Sequence, residues 1–301
     1  MTFENNTPAP HAKPADLLDA PFFVTEPAGA RLPIVFDSPH SGIAMPADFD
    51  TIASREALHT SWDAFVDELW AAVPEHGGVL IGAHFPRAYI DANRAVTDID
   101  AQLLTEPWPT PLAPQKYTLR GMGLIRRDAL PGQPMYGRRL SIAEVQHRID
   151  AYYRPYRAAL HDAAKRAVAQ HGALWHVDCH SMKSRGNEMN VDAGEARPDF
   201  VISDRLGTTA DPAFTQWAAQ YFSAAGYTVQ VNEPYQGGDL LTAVSNPAER
   251  RHSIQIELNR GLYMDESRFV KHAGFAALKN NLDAFVAALA EYVRAQLATS
   301  A

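Results

Sequence analysis

Seven short runs, "PIVFD", "GVLIGAHF", "AYIDAN", "LWHVDCHSM", "DFVISD", "TVQVN" and "SIQIELN", alternate with stretches whose apolar residues recur every three or four positions. No other feature constrains the chain as much. Short apolar runs bounded by turn residues read as strands buried on both faces. Strands separated by amphipathic helices predict an α/β fold, one sheet covered by helices on both sides.

Local signals place the helices. "SREALHTSWDAFVDELWAAVPEHGG" has the spacing of one amphipathic helix stopped at Gly77. Ser141 with Glu144 forms a capping box that opens a helix towards His171-Gly172, and Pro155 is expected to kink or divide it. Asp211-Pro212 is a cap and first-turn pair, and a last amphipathic helix is expected from about Asp265 to Leu297. Residues 98–139 are rich in Pro and Gly and read as a long functional loop, with a lid among its roles left open. Residues 1–20 read as a flexible arm ahead of a single domain over 21–301.

Of the 301 residues, 46% are hydrophobic and 21% charged, as in a soluble globular protein. The net charge of −8 lacks the basic footprint of a nucleic-acid binder. One cysteine, Cys179, excludes an intrachain disulfide. The N-terminus has neither the basic nor the apolar region of a secretory signal, and no run reaches the roughly 18 apolar residues of a membrane span, so a cytoplasmic location is expected.

In open α/β sheets, ligands bind at the carboxyl ends of the strands. His40 follows "PIVFD", His180 ends "LWHVDC", Glu257 lies in "SIQIEL", and Asn93-Arg94 follow "AYID". Two histidines and a carboxylate make the usual protein set for catalytic zinc, which activates water and polarises a carbonyl. Glu257, between Ile256 and Leu258, suits a general base whose pKa burial would raise. An arginine fork grips a carboxylate. These residues point to metal-assisted hydrolysis of an amide whose substrate carries a carboxylate. Cys179 alternates with His180 and is expected to face away; His176 is expected to be structural, pointing away or lying deeper.

The segments "DSPHSG", "FPRAYIDANR", "YYRPYRAAL", "LWHVDCHSM", "YQGG" and "IQIELNRGLYM", spread from about residue 33 to 265, resemble the N-formylglutamate amidohydrolase (deformylase) family, related to aspartoacylase and the zinc carboxypeptidases. The resemblance implies a three-layer α/β/α fold around a mixed, mostly parallel sheet, and hydrolysis of N-formyl-L-glutamate to formate and L-glutamate in histidine degradation. It implies zinc on His40 and His180, Glu257 as base, and Asn93 with Arg94 as carboxylate clamp. Arg87 would lie near that carboxylate or polarise the scissile carbonyl. A loop arginine (Arg120, Arg126 or Arg127, with Arg126 preferred) would grip a second carboxylate or the oxyanion, and Gly238 of "YQGG" would contact substrate.

Two departures stand out. Members typically carry an acidic "DTDW" where this chain reads "HTSWD". Asp63 is then the third ligand two residues away, about 200° around a helix, which demands a changed helix start or register; His59 is the alternative. After "QGG", members continue with "HITRHY", and this chain reads "DLLTAVSN", which bears on the substrate. Two further readings are a related hydrolase of another N-acyl amino acid or small peptide, and a non-catalytic binder of acyl amino acids. The expected partner is a small molecule, with neither nucleic acid nor membrane; homo-oligomerisation is left open.

Overall fold

The computed structural model describes residues 20–188, 190 and 192–299, so the arm expected over 1–20 lies, apart from Ala20, outside the described residues. In chain order the elements are β1 (Phe22–Thr25), β2 (Ile34–Ser38), α1 (Arg55–His59), α2 (Val66–Leu69), β3 (Val79–Ala83), β4 (Asp128–Leu130), β5 (Gln133–Pro134), α3 (Ile142–Arg148) and α4 (Arg154–His171). There follow β6 (Leu174–Met182), β7 (Phe200–Ser203), α5 (Pro212–Ala224), β8 (Val229–Val231), α6 (Asp239–Val244), β9 (Arg251–Asn259), β10 (Met264–Asp265), β11 (Val270–Lys271) and α7 (Gly274–Ala298).

Seven strands form one sheet in the order β1-β3-β2-β6-β9-β7-β8. Neighbours β3, β2, β6 and β9 are parallel, β1 is antiparallel on one edge, and β7 runs against β9 but alongside β8. The sheet is therefore mixed and mostly parallel, as expected. One face packs on α2, α5 and α7, the other on α3, α4 and α6, giving three layers. Among the described residues no helix is long and apolar enough to cross a membrane.

The two faces differ chemically. In β6 and β9, Trp175, Val177, Cys179, Ile254, Ile256 and Leu258 enter the first apolar core, as the alternation of strand side chains requires. The opposite face of the same strands carries His176, Asp178, His180, Ser253, Gln255 and Glu257, all buried. Parallel register sets His176 beside Ser253, Asp178 beside Gln255, and His180 beside Glu257. Cys179 is thus a core residue, and His176 shares the face of His180 but sits deeper, bonded to Asp37 (2.8 Å) and Ser253 (2.7 Å).

Three local expectations are corrected. The segment 55–77 breaks into α1, α2 and a short 3₁₀ turn at Val73–His76. Between the two helices the Asp63 N–H donates to the His40 carbonyl (3.1 Å) and the Trp62 indole to the Ser41 carbonyl (2.7 Å), while Phe65 turns to φ 63°. Clasping the "SPHSG" turn interrupts the helical ladder. "AYIDAN" is a set of turns, because Asp91 accepts the Asn93 N–H in an Asx turn (3.0 Å) and donates its own N–H to Leu124. Residues 264–271 form the β10–β11 hairpin, closed by the Asp265 carboxylate on the Ser267 and Arg268 N–H groups, and α7 starts only at Gly274. The capping box at Ser141 is present; the helix passes through a π turn at Ile149–Tyr153, and Pro155 falls in the first turn of α4, where a missing N–H leaves no bond unmade.

Two stability outcomes follow. A Cβ on Gly42 would stand 2.3 Å from the His84 carbonyl carbon, backbone that cannot swing aside. Gly42→Ala is therefore expected to push the His40 turn off β3 and cost about 1–3 kcal/mol, read as a lowered urea midpoint. Phe285 is fully buried on the apolar face, with Phe222 at 4.6 Å. Phe285→Ala should cost about 3–5 kcal/mol while leaving turnover per folded molecule unchanged, since the site lies across the sheet.

Candidate active site

At the carboxyl ends of β2 and β6, three buried ligand atoms converge. His40 Nδ1 and His180 Nδ1 are 3.0 Å apart, and Asp63 Oδ2 lies 3.0 Å from His180 Nδ1 and 3.5 Å from His40 Nδ1. Ligands about 2.0–2.1 Å from a tetrahedral zinc stand roughly 3.3 Å from one another. The triangle thus has the size of one face of such a tetrahedron.

The outer atoms of these ligands are held. His40 Nε2 is 2.7 Å from Asp91 Oδ1, and His180 Nε2 is 2.7 Å from Asp178 Oδ1. With each Nε2 on a carboxylate the ring proton belongs there, so both Nδ1 atoms present lone pairs to the same point. Two lone pairs and a carboxylate oxygen cannot satisfy one another; a cation satisfies all three. Asp63 Oδ1 accepts from Arg260 Nη2 (2.9 Å), and Arg260 is itself fixed on Ser181 Oγ (3.0 Å) and the Thr60 carbonyl (3.1 Å). The donor set fits a divalent metal of zinc type.

Electrostatics agree. Burial alone would push the His180 imidazolium down, but the carboxylates of Asp178, Asp63 and Glu257 hold it well above its ordinary range. The pull that draws a proton there draws a metal cation equally, so the two compete. Burial likewise works against the ionised Asp63, yet the close His180 and His40 rings and the charge of Arg260 keep it ionised well below the usual carboxylate range. Glu257 behaves oppositely: burial, helped by the charge of Asp63, lifts it to about 7. Gln255 Nε2 donates to Glu257 Oε1 (2.9 Å), and the Gly238 N–H holds Gln255 Oε1 (2.9 Å). A carboxylate poised near neutrality beside a metal set suits proton transfer.

His40, Asp63, His180, Gln255, Glu257 and Arg260 face a cavity of about 810 Å³. Among the described residues eight Lys and Arg side chains line it against four Asp and Glu, the reverse of the whole chain's balance, so the cavity is built for an anion. Arg87, Asn93, Arg94, Arg126 and Gly238 are all on its wall. Their states differ from the sequence-based picture. Arg87 is tied to Asp91 Oδ2 through Nε (3.2 Å) and Nη2 (2.7 Å). The Asn93 amide donates to Asp178 (2.7 Å) and accepts the Leu240 N–H (2.9 Å), so it orients the ring around His180 rather than offering a free donor. Gly238 serves closeness: a Cβ there would lie 2.2 Å from Asn93 Oδ1. Arg94 and Arg126, by contrast, each bury an Nε without a hydrogen-bond partner. Burial and the charges of Arg87 and Arg94 push the Arg126 guanidinium down to about 9, a cost that an arriving anion would relieve.

His59 lies off the cavity, its ring 5.4 Å from Trp62 and 5.5 Å from Phe269, and Arg127 is turned to Asp100 and Asp128. Asp63 reaches His180 without any change of helical register, because it lies in the break between α1 and α2. Sequence reasoning missed Asp91, Asp178 and Arg260 as the groups that orient the three ligands. Asp178 had a usable signal, two residues before His180 on the same strand face.

Comparison with known proteins agrees with this chemistry. The pattern of the family described as N-formylglutamate amidohydrolase matches residues 32–264. N-formylglutamate deformylase of Pseudomonas aeruginosa (strain PAO1) is 26% identical over 240 residues, 78% of this chain and 84% of the relative. That of Pseudomonas putida is 25% identical over 241 residues, 79% and 84%. The crystal structure of N-formylglutamate amidohydrolase from Ralstonia eutropha JMP134 superposes with a TM-score of 0.89 at 46% identity, covering 92% of this chain and 99% of that one. A gene product of Agrobacterium tumefaciens, 18% identical with a TM-score of 0.60 over 95% and 97%, shares the fold. The chain is an amide hydrolase and belongs to the N-formylglutamate amidohydrolase family.

Proposed function

We propose that the protein hydrolyses N-formyl-L-glutamate to formate and L-glutamate with the help of a zinc ion, closing a route of histidine degradation. The observation that carries the metal dependence is the triangle of His40, Asp63 and His180 with its outer atoms held by Asp91, Asp178 and Arg260. An ion bound there would supply Lewis acidity, lowering the pKa of a water and polarising the formyl carbonyl. Glu257, held by Gln255, takes the proton of the attacking water and delivers it to the nitrogen as the C–N bond breaks. Arg94 and Arg126, with open donors, receive substrate carboxylate. Arg87, fixed on Asp91, holds positive charge over the oxygen that becomes anionic.

The altered segment after "QGG" does not weigh strongly against glutamate. It forms α6, and Asp239, its residue on the cavity wall, is neutralised by Arg157 at 2.8 Å. The non-catalytic reading required a broken metal set, and Asp63, the last residue of "HTSWD", joins His40 and His180 in a group that could hold a metal.

Formate release from N-formyl-L-glutamate should vanish on chelation and return with zinc; turnover untouched by an exhaustive chelation would remove the metal from the scheme. Metal analysis separates the roles. His180→Ala should carry almost no zinc, whereas Glu257→Gln should keep a full equivalent and lose about 10²–10⁴-fold in kcat. Asp91→Asn and Asp178→Asn should each weaken zinc affinity about 10–100-fold, measured by competition with a chelating dye.

A further inference from the structure

Between β7 and α5 the chain turns three successive residues into the left-handed region, Arg205 at φ 52°, Leu206 at 60° and Gly207 at 81°. Residues with a Cβ rarely adopt it, so two of them in a row persist only where the surroundings hold them. The holder is the buried Asp204 carboxylate, which accepts from the Gly207 N–H (2.7 Å), Asn232 Nδ2 (2.8 Å) and Thr215 Oγ1 (2.7 Å). Asn232 Oδ1 in turn accepts the N–H groups of Asp204 (3.1 Å) and Leu206 (3.3 Å). This bend lies on the cavity wall and brings Arg205 against the "QGG" segment. The Arg205 N–H donates to the Gln236 carbonyl (2.8 Å), and its Nη1 to the carbonyls of Gly238 (3.2 Å) and Gly237 (3.5 Å). One residue thus caps three successive carbonyls.

That segment leads to the base. With the Gly238 N–H on Gln255 Oε1 (2.9 Å), the Gln255 amide can present only its NH2 group to Glu257 Oε1 (2.9 Å). On the other side Gly238 has no room to retreat, since even a Cβ there would stand 2.2 Å from Asn93 Oδ1. We propose that Arg205 is a positioning residue for Glu257: through Gly238 and Gln255 it holds the carboxylate in the place from which it takes the proton of the attacking water. The inference rests on the role given to Glu257 above and extends the support of that base to the loop between β7 and α5. Arg205 acts at a distance, so its effect belongs in kcat: a base held loosely loses rate without losing substrate binding.

The test uses Arg205→Met, which keeps the Cβ and the stem beside Gly237 and removes the guanidinium. On N-formyl-L-glutamate the zinc-loaded variant should lose about tenfold in kcat, with KM changed less than about threefold and the zinc content and melting temperature kept. Arg205→Lys, whose ammonium can still donate to these carbonyls, should recover part of the loss. A double-mutant cycle separates positioning from general damage. In a Gln255→Met background, where the link to Glu257 is already cut, Arg205→Met should cost less than about twofold more. A loss carried by KM, an equal loss in both backgrounds, or no loss at all would overturn the inference. If the wild type releases no formate from N-formyl-L-glutamate, the proposed reaction falls instead, and crystal structures decide the positioning role. A Gly238 N–H that leaves Gln255 in the Arg205→Met protein sustains it; an unmoved chain from Gly238 through Gln255 to Glu257 sinks it.

Discussion

The register between β6 and β9 is the constraint on which the rest depends. These two strands pair over nine positions, and their alternation sends Trp175, Val177, Cys179, Ile254, Ile256 and Leu258 to one face and His176, Asp178, His180, Ser253, Gln255 and Glu257 to the other. A slip by one residue would turn Trp175, Val177 and Cys179 into the polar layer and bury His180, Asp178 and His176 in the apolar core. Neither face tolerates that exchange, so the packing that stabilises the sheet also sets His180 beside Glu257. Fold stability and catalytic geometry share one origin here.

Burying so many ionisable groups on one face costs free energy unless each is matched. The deep end of the layer is matched within the protein: Asp37 accepts from Tyr156 (2.7 Å) and His176, and His176 reaches Ser253. Moving towards the strand ends, matching becomes incomplete in a directed way. Asp91 and Asp178 saturate the far sides of His40 and His180 and leave the near sides open, and Arg94 and Arg126 keep unbonded Nε atoms. Within this polar layer, the open near sides of the histidines and the unbonded arginine Nε atoms lie where the cavity can bring a cation on one side and an anion on the other. That gradient distinguishes the site from the structural network beneath it.

Much of this was legible in the residues, for physical reasons. β2, β6 and β9 were readable because two buried faces force apolar runs, and the polar residues interrupting them advertised the layer. The errors came from side chains that capture backbone. The spacing over 55–77 is genuinely helical, but the clasp of Asp63 and Trp62 on the His40 turn is a long-range contact with no local signature. The same clasp brings Asp63 beside His40 and His180, so register on a helix is not at issue. Asn93, Arg87 and Gly238 lie on the cavity wall, with Arg87 tied to Asp91 and the Asn93 amide to Asp178, engagements that only coordinates show.

The segment 98–139 completes the argument about preorganisation. Though read as a loop, it is pinned along its length. The Asp98 carboxylate holds the Gln115 N–H (2.7 Å) and the Thr118 hydroxyl, Asp98 and Leu124 bond through their backbones (2.8 Å), and Leu124 in turn accepts from Asp91. Leu124 and Ile125 are fully buried in the second core. Arg126 therefore extends from a fixed base, and Tyr117 backs Arg94 from the same segment. Because Asp91 both anchors this segment and holds His40, the arginine-bearing wall and the candidate metal group are built on one residue. Ordering of the segment happens during folding, so substrate binding need not supply it, and more of the binding energy remains for holding the formyl group against Glu257.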